Sequence, residues 1–368
     1  MTSPTRLLRV LRLGRVEYAD GLVLQGQLAQ ARRAGAIGDT LLLLEHPPTI
    51  TLGRGAKAAN VLASDEELAR SGVARYATDR GGDVTYHGPG QLVGYPILDL
   101  AGPRADVRAY VRSLEEGLIR GLGDFGIAAG RLPRWPGVWL GEEGQDARKI
   151  AAIGVHIARW ITTHGFALNV SPSLEDFDLI LPCGIAEAGV TSMARELGQS
   201  PDWESVQAAL ARAYADVWKA EVQEGSPDVH TVSVTVTREG RGGTEVLLLL
   251  RTAARGAFWQ PVTGRREPEE RADAAAVREV AEETGRALRV RPLRYRHAFA
   301  LGEASPPTVA VEEAFAAVWE GEVPVRLSAE HSDFAWLPVR EALRRLPYAG
   351  LRRALERATS AVGSPAWR

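Results

Sequence analysis

The chain has 368 residues, enough for two domains that each bury a hydrophobic core. Hydrophobic residues make up 45% and charged residues 24%, which is typical of a folded protein and excludes disorder as the main state. The formal net charge of -2 favours neither nucleic acid nor an anionic membrane, and no apolar run approaches the roughly 18 residues that span a bilayer. A single cysteine cannot form an intramolecular disulfide, so we expect a soluble, cytoplasmic protein.

The first half of the sequence predicts strands mixed with helices. Arg6, Arg9, Arg12 and Arg15 resemble a transit peptide in composition, but their spacing favours an amphipathic strand. The remaining predicted elements are strands at Leu41–Leu44 and Thr49–Leu52 around a proline turn, a helix over Asp106–Leu122, strands at Ile150–Ile157 and Gly165–Val170, and a helix through Val206–Val217. This mixture indicates an α/β (α+β) fold.

A second domain is predicted after a break at residues 224–228, where small and turn-forming residues suit a linker. The domains are then residues 1–223 and 229–368. Val232, Val234 and Val236 alternate with polar residues, which predicts a half-buried strand, and Val246–Leu250 predicts a buried one. Ala272–Thr284 predicts a helix that ends at Gly285.

A glycine-rich segment, Arg80–Gln91, surrounds a Thr-Tyr-His core with glycines and a proline. Glycines at this density let the backbone approach a ligand and expose N–H groups to it. On glycine content alone, a tight strand-turn-strand without a ligand is the alternative.

Further motifs follow in a fixed order: Lys-Ile-Ala-x-x-Gly at 149–154, His-Gly-Phe-Ala-Leu-Asn at 164–169 and Pro-Cys-Gly-Ile at 182–185. Together with Glu-His-Pro-Pro at 45–48 and Pro-Gly-Val-Trp at 136–139, residues 7 to 221 closely resemble the lipoyl(octanoyl) transferase family. The resemblance implies a mixed sheet with helices of the biotin/lipoate transferase type and no cofactor for this domain. It also implies octanoyl transfer from octanoyl-acyl carrier protein to a lysine of the lipoyl domains of 2-oxoacid dehydrogenases and of the glycine cleavage H protein.

The same resemblance implies that Cys183 carries the acyl group as a thioester and that Lys149 is its base. Thiolate exchange between thioesters keeps the acyl group activated for the later amine. An apolar setting such as Ile150–Ile153 disfavours a charged ammonium, which would let Lys149 accept a proton. Without the surrounding motifs, a lone cysteine is more often a buried hydrophobe, and a lone lysine a solvated charge.

The acyl and pantetheine pocket is implied by the resemblance to be lined by residues from three motifs: Arg80, Gly81, Gly82, Asp83, Val84, Thr85, Tyr86 and His87, then Ala152, Ile153 and Gly154, then Gly165, Phe166 and Ala167. His87 has the alternative of bracing its own turn. His46, beside two prolines, is interpreted as structural.

An acidic helix marks the second half. On a helix, Glu279, Glu282 and Glu283 lie at i, i+3 and i+4, so three carboxylates share one face. Such hard oxygen ligands suit Mg2+ or Mn2+ bridging substrate phosphates, and Arg278 could orient one carboxylate. A solvated acidic face is the alternative.

The spacing of Gly264, Glu270, Arg278, the three glutamates and Gly285 is the pattern of the Nudix box, and residues 229 to 357 resemble Nudix hydrolases, which have an α/β/α sandwich. Arg286 stands where that family has a large apolar residue. The resemblance implies hydrolysis of a nucleotide-type phosphoanhydride by metal-activated water. Glu279 and Glu283 are then metal ligands, Glu282 or Glu270 supports them, and Glu330 is a weak further candidate.

Two alternatives stay open at this point. The N-terminal domain has an ATP-dependent lipoate ligase as its rival, because such ligases are expected to share its fold. The C-terminal domain has a non-catalytic nucleotide-binding regulator as its rival.

Overall fold

The computed structural model describes residues 6–102, 105–144, 146–181, 189–240, 242–301, 307–321 and 323–362. The chain divides into two compact units. One comprises Met1–Ser226 with Ala300–Pro307, and the other comprises Pro227–Phe299 with Thr308–Arg368.

The N-terminal unit mixes strands and helices along the chain. Its elements are β1 (Arg6–Arg15), α1 (Tyr18–Arg33), β2 (Asp39–Glu45), β3 (Thr49–Leu52), α2 (Asp65–Arg70), β4 (Ala74–Ala77), β5 (Val84–His87), β6 (Gln91–Ile97), α3 (Val107–Gly123), β7 (Gly130–Leu132), β8 (Trp135–Leu140), β9 (Arg148–Ala158), β10 (Ile161–Asn169), β11 (Gly189–Val190), α4 (Met193–Leu197), α5 (Trp203–Trp218) and β12 (Ala220–Gly225). The strands and helices predicted from the sequence are confirmed in this unit.

The main sheet has the strand order β12-β1-β2-β6-β10-β9-β8-β7, and β11 pairs with β9. Parallel pairs join β1 to β12 and to β2, whereas β6, β10 and β9 pair antiparallel, so the sheet is mixed as predicted. Leucines and aromatic rings of α3 and α5 pack on it in one hydrophobic core. The side chain of Asp106 caps α3 by accepting a hydrogen bond from the N–H of Arg108, which explains why the helix begins there.

The first two residues of the linker predicted at 224–228 belong to a strand in the structure, β12, which ends at Gly225. Glu224 and Gly225 belong to β12, where they pair with Val10 and Leu11 of β1, and the Glu224 carboxylate bonds to Arg12. The sequence prediction was wrong at these two residues because an edge strand of alternating exposed side chains resembles a polar turn.

The proline turn after β2 separates two sheets. Whereas β2 belongs to the main sheet, β3 pairs with β4 and β5 in a three-stranded sheet. Ile50, Val84 and Tyr86 of this small sheet pack against Phe177 and Ile180 in a core of their own. The glycine-rich segment therefore starts in the small sheet and ends in the main one.

The C-terminal unit is built around a second sheet. Its elements are β13 (Val229–Gly240), β14 (Gly243–Arg251), β15 (Trp259–Gln260), β16 (Val262–Arg265), α6 (Ala272–Thr284), β17 (Val290–Leu301), β18 (Thr308–Val318), β19 (His331–Pro338), α7 (Val339–Arg345) and α8 (Ala349–Val362). The predicted helix over Ala272–Thr284 is confirmed, and Gly285 ends it at φ 74°.

Helices cover both faces of this second sheet. Ala275, Ala276 and Val280 of α6 pack on one core, and Ala342 of α7 and Leu355 of α8 pack on the other. Because both faces are covered, β13 is buried from Val232 to Thr237, so the prediction of a half-buried strand was wrong there. The predicted α/β/α sandwich is confirmed. In the described part of the chain, no helix is both long and apolar enough to cross a membrane.

Candidate functional sites

A pocket with about 460 Å³ of empty space lies in the N-terminal unit. Twelve of the fourteen predicted lining residues are in its wall: Arg80, Gly82, Asp83, Val84, Thr85, His87, Ala152, Ile153, Gly154, Gly165, Phe166 and Ala167. The structure thus brings together three motifs that are far apart in the sequence.

Gly81 and Tyr86 are not in that wall. The N–H of Gly81 donates to the carbonyl of Val155 at 2.9 Å. Side chains alternate along β5, so the Tyr86 ring contacts Phe177 on the opposite face, and its hydroxyl donates to Asp176 at 2.6 Å. We interpret both residues as supports of the wall.

Tyr18, Tyr95 and His164 also line the pocket and were missed as site residues in the sequence. They come from α1, β6 and β10, and only the position of His164 directly before Gly165 could have indicated one of them. Its Nε2 lies 2.8 Å from the Asp79 carboxylate. Burial lowers the pKa of His164.

Arg80 is a brace and not a free cation. Its guanidinium is buried and donates to the Thr51 carbonyl at 2.7 Å, to the Thr51 hydroxyl, and to the carbonyls of Gly81 and Asp83. A buried charge needs such a set of acceptors. These bonds fix the first turn of the glycine-rich segment to β3.

Two glycines allow β6 and β10 to pack closely where Gly165 and Phe166 reach the pocket wall. A Cβ on Gly94 would lie 2.0 Å from the Phe166 ring, and one on Gly165 would lie 2.3 Å from the Gly94 carbonyl. Both distances are far below van der Waals contact, so only glycine fits at these positions. The Phe166 ring therefore lies over Gly94, and it stacks on Tyr214 at 5.1 Å between ring centres.

Three histidines in this region, His46, His87 and His164, are buried, and burial lowers the pKa of each. His46 bonds through its two ring nitrogens to the Val16 carbonyl and the Tyr95 hydroxyl, each at 2.6 Å, and burial lowers its pKa to about 4. The structural interpretation of His46 agrees with these contacts. His87 is 2.7 Å from Gln91 Oε1, and burial lowers its pKa well below the usual value.

Lys149 lies at the start of β9, the strand that carries Ala152–Gly154 into the pocket wall. The residue is 6% exposed, and its Nζ is 4.5 Å from the centre of the Trp139 ring. Ordinary surface lysines are solvated, so this placement argues against the alternative that Lys149 is only a solvated surface charge.

A chain of buried amides connects the glycine-rich segment to Lys149. The Gln91 amide donates to Asn169 Oδ1 at 2.9 Å, and the Asn169 amide donates to the Thr191 carbonyl at 3.0 Å. The N–H of Thr191 then donates to the Lys149 carbonyl at 2.9 Å. Asn169 thereby holds two walls of the site in register.

Cys183 lies outside the described residues, but the residues on either side of it are placed. The N–H of Leu181 donates to the Asn60 carbonyl at 2.8 Å, and Asn60 bonds through its amide to the pocket residue Asp83. On the other side, Val190 of β11 pairs with Lys149 of β9.

In the C-terminal unit, Arg278 links the acidic residues of the box. It donates to both oxygens of Glu270 at 2.9 Å, to Glu279 at 2.7 Å and to Glu282 at 3.3 Å. This pair holds the pKa of the Glu270 carboxyl well below its usual range. Glu282 is exposed on α6, whereas Glu279 and Glu283 are buried, so the three carboxylates do not share one environment.

Glu283 and Glu279 have the donor chemistry of a divalent-cation site. The Glu283 Oε2 atom is buried without a hydrogen-bond partner in the described part of the chain. Burial, and then the charge of Glu279, raise the pKa of Glu283 to about 8. Within the described residues, no set of three or more His, Cys, Asp or Glu forms a complete metal site. The two carboxylates fit Mg2+ or Mn2+, which take remaining ligands from water and substrate phosphates.

Two glycines of the box act through their backbones. Gly264 leaves room for the Glu279 carboxylate, and Gly285 adopts the left-handed cap that ends α6. Arg286, the departure from the box pattern, stacks over Trp319 at 5.2 Å from the ring centre and donates to the Glu320 carbonyl. The guanidinium of the arginine thus makes a cation–π contact at the position where the box has a large apolar residue.

Glu330 carries an ion pair of its own. Its carboxylate lies 2.7 Å from Arg255 and 4.0 Å from Arg251.

Comparisons with known proteins match both units. Residues 17–215 match the family described as the lipoyl protein ligase A/B catalytic domain, and residues 228–358 match the NUDIX domain. An octanoyltransferase of Myxococcus xanthus is 54% identical over 353 residues, which cover 95% of this chain and 99% of that relative. An octanoyltransferase of Solibacter usitatus is 54% identical over 215 residues, which cover 58% of this chain and 94% of that relative.

Among solved structures, a chain of the lipoylation system of Thermoplasma acidophilum, a bipartite lipoate protein ligase with its E2 lipoyl domain, has a TM-score of 0.49. It is 15% identical, with 60% of this chain and 87% of that chain covered. Because the relative that matches over its full length is an octanoyltransferase, the comparisons favour the transferase over the ligase alternative.

Proposed function

Since the chain belongs to the octanoyltransferase family and carries a NUDIX domain behind its lipoyl protein ligase A/B catalytic domain, we propose that it transfers octanoyl through a thioester on Cys183. The donor is octanoyl-acyl carrier protein, and the acceptor is a lysine of a lipoyl domain in a 2-oxoacid dehydrogenase or in the glycine cleavage H protein. The observation that carries this proposal is the buried Lys149, held beside a pocket that three motifs build.

In the first half-reaction, Lys149 accepts the proton of the Cys183 thiol, and the thiolate attacks the donor carbonyl. A carbon–sulfur bond to Cys183 forms as the bond to the pantetheine sulfur breaks, and that sulfur takes the proton from Lys149. The exchange of one thioester for another is nearly isoenergetic, so the acyl group remains activated.

In the second half-reaction, the neutral amine of the acceptor lysine attacks the Cys183 thioester. Lys149 removes a proton from the attacking nitrogen and returns it to the departing Cys183 sulfur, while an amide forms. The placement of the flanking residues supports these roles, because Leu181 bonds to Asn60, which bonds to the wall residue Asp83, and Val190 pairs with Lys149.

Intact-protein mass after exposure to octanoyl-acyl carrier protein tests the relay. The unchanged chain gains one octanoyl group, Cys183→Ala gains none, and Lys149→Ala gains it about 100-fold more slowly, in line with the loss of a general base. Labelling that survives Cys183→Ala contradicts the relay.

For the C-terminal unit, we propose metal-dependent hydrolysis of a nucleotide-type phosphoanhydride. Glu279 and Glu283 would hold Mg2+ or Mn2+, and Glu270 and Glu282 would support them through Arg278. The bound metal would supply an activated water and neutralise phosphate charge. The buried, unpartnered Glu283 Oε2 carries this proposal.

Release of phosphate or pyrophosphate from a broad nucleotide panel tests it. We expect release that requires Mg2+ or Mn2+, is lost in Glu283→Gln, and is kept in Glu239→Gln, which changes an exposed carboxylate of the same unit. The absence of release from the whole panel would favour a nucleotide-binding regulator.

A further inference from the structure

A short loop, residues 53–57, lies against the glycine-rich segment. The N–H groups of Gly53, Arg54 and Gly55 donate to the carbonyls of Asp83, Arg80 and Gly82 at 3.2, 2.9 and 3.0 Å. Three consecutive backbone bonds between two segments fix the loop to residues that line the pocket.

The contact is as close as two backbones allow. A Cβ on Gly53 would lie 2.4 Å from the Gly82 carbonyl oxygen, and one on Gly55 would lie 3.3 Å from the same atom. Arg54 stands between these two glycines. Its backbone therefore has a fixed place at the pocket wall, and its side chain starts from that place.

The charged groups in the pocket wall are already engaged. The guanidinium of Arg80 is bound to Thr51 and to backbone carbonyls. The carboxylate of Asp83 accepts from the N–H groups of Lys57 and Val84 and from the Asn60 amide. Among the described residues of the wall, the guanidinium of Arg80 and the carboxylate of Asp83 are therefore both bound to neighbouring protein groups.

Arg54 and Lys57 differ from these groups. Both are exposed, and within the described ranges neither side chain makes a hydrogen bond or an ion pair. By contrast, Arg75 in the neighbouring strand β4 is paired with Asp65 at 2.7 Å. Two available cations thus lie on a loop that is bonded through its backbone to residues of the pocket wall.

We propose that Arg54 and Lys57 bind the phosphodiester of the donor's phosphopantetheine arm. This inference rests on the proposed function, because it takes the donor to be a phosphopantetheine thioester. When the acyl group enters the pocket, the arm must leave through its mouth, and its only anion is the phosphodiester. An arginine and a lysine are the side chains that bind phosphate by charge-assisted hydrogen bonds.

A comparison of three acyl donors shows whether the loop binds the phosphate or some other negative charge of the donor. The donors are octanoyl-acyl carrier protein, octanoyl-phosphopantetheine and octanoyl-pantetheine. The first carries the phosphate and an acidic protein surface, the second carries the phosphate alone, and the third carries neither. The initial rate of Cys183 labelling is measured with each donor for the full chain and for Arg54→Ala/Lys57→Ala. Arg108→Ala/Arg112→Ala, which removes two exposed cations of α3, is the matched control.

With both phosphate-containing donors, we expect the kcat/KM of the loop variant to fall about tenfold because its KM rises. With octanoyl-pantetheine, its kcat/KM should equal that of the unchanged chain. Arg54→Lys/Lys57→Arg should recover most of the loss, and the control should behave as the unchanged chain. An equal loss with all three donors, a loss confined to the carrier protein, or no loss overturns the proposal. Failure of the unchanged chain to label with any donor would instead contradict the Cys183 relay.

Discussion

The carboxylate of Glu279 fills the space that a side chain on Gly264 would occupy: a Cβ there would lie 1.7 Å from the Glu279 Cδ. The two residues are fifteen positions apart, and β16 and α6 bring them together. The glycine is therefore a spatial requirement of the acidic site.

Gly264→Ala should displace Glu279 and abolish metal-dependent hydrolysis, because the new methyl group and the carboxylate cannot share the space. The overpacking should also cost about 1–3 kcal/mol in stability. Phosphate release and chemical unfolding measure the two effects. Gly242→Ala, where nothing lies within 4 Å of the new Cβ, is the control, and octanoyl transfer should be unchanged in both variants.

Gly94→Ala should displace the ring of Phe166, a residue of the pocket wall, since the new Cβ would lie 2.0 Å from it. We expect a preference for acyl donors shorter than octanoyl, together with a loss of roughly 1–3 kcal/mol in stability. Labelling rates with a series of acyl chain lengths measure the preference. Gly26→Ala on the exposed face of α1, with open space around its Cβ, should instead stabilise the protein by about 0.5–1 kcal/mol. Unchanged chain-length preference in Gly94→Ala would show that Phe166 does not bound the acyl site.

Asn169→Ala should slow Cys183 labelling by acting through Lys149. The substitution leaves the Gln91 amide and the Thr191 carbonyl without their buried partner, which costs about 1–3 kcal/mol. Because the two residues would then act as one unit, the double variant with Lys149→Ala should be no slower than Lys149→Ala alone. Additive losses in this double-mutant cycle would mean that Asn169 does not position Lys149.

His46 should make the N-terminal unit sensitive to acid. Burial lowers its pKa from 6.5 to about 4, so between these values the unfolded chain binds a proton that the folded chain does not. Stability contributed in this way is present above pH 6.5 and is lost as the pH falls toward 4, by on the order of 3 kcal/mol. Urea unfolding at a series of pH values measures the slope. His46→Gln should reduce the slope, while the part due to the buried His87 remains; an unchanged slope would assign the acid sensitivity to other groups.

Local sequence signals predicted the elements that have local causes. Asp106 and Gly285 mark helix ends because a cap and a left-handed turn act within a few residues. The family resemblance likewise pointed to twelve residues that lie in the wall of one pocket, since each motif supplies a short stretch of wall.

The rest depends on partners that are distant in sequence. The sequence implied the same lining role for Arg80 as for its neighbours, and only the position of Thr51 shows that it is a brace. Tyr18 and Tyr95 reach the pocket from elements without a motif. Glu282 differs from Glu283 in burial because the sheet covers one side of α6, which helical spacing alone does not show.

The pairing of β1 with β12 has a consequence for synthesis on the ribosome. Strand β1 gains its partner β12 only when residues 220–225 have been made, more than 200 residues after β1 itself. Until then, the edge exposes unpaired N–H and C=O groups, which are a template for aggregation. The arginines along β1 keep that edge charged until β12 has been made, and one of them then bonds to Glu224. A shortened chain that stops after α5 would retain the exposed edge permanently, whereas one that extends through Gly225 would close it.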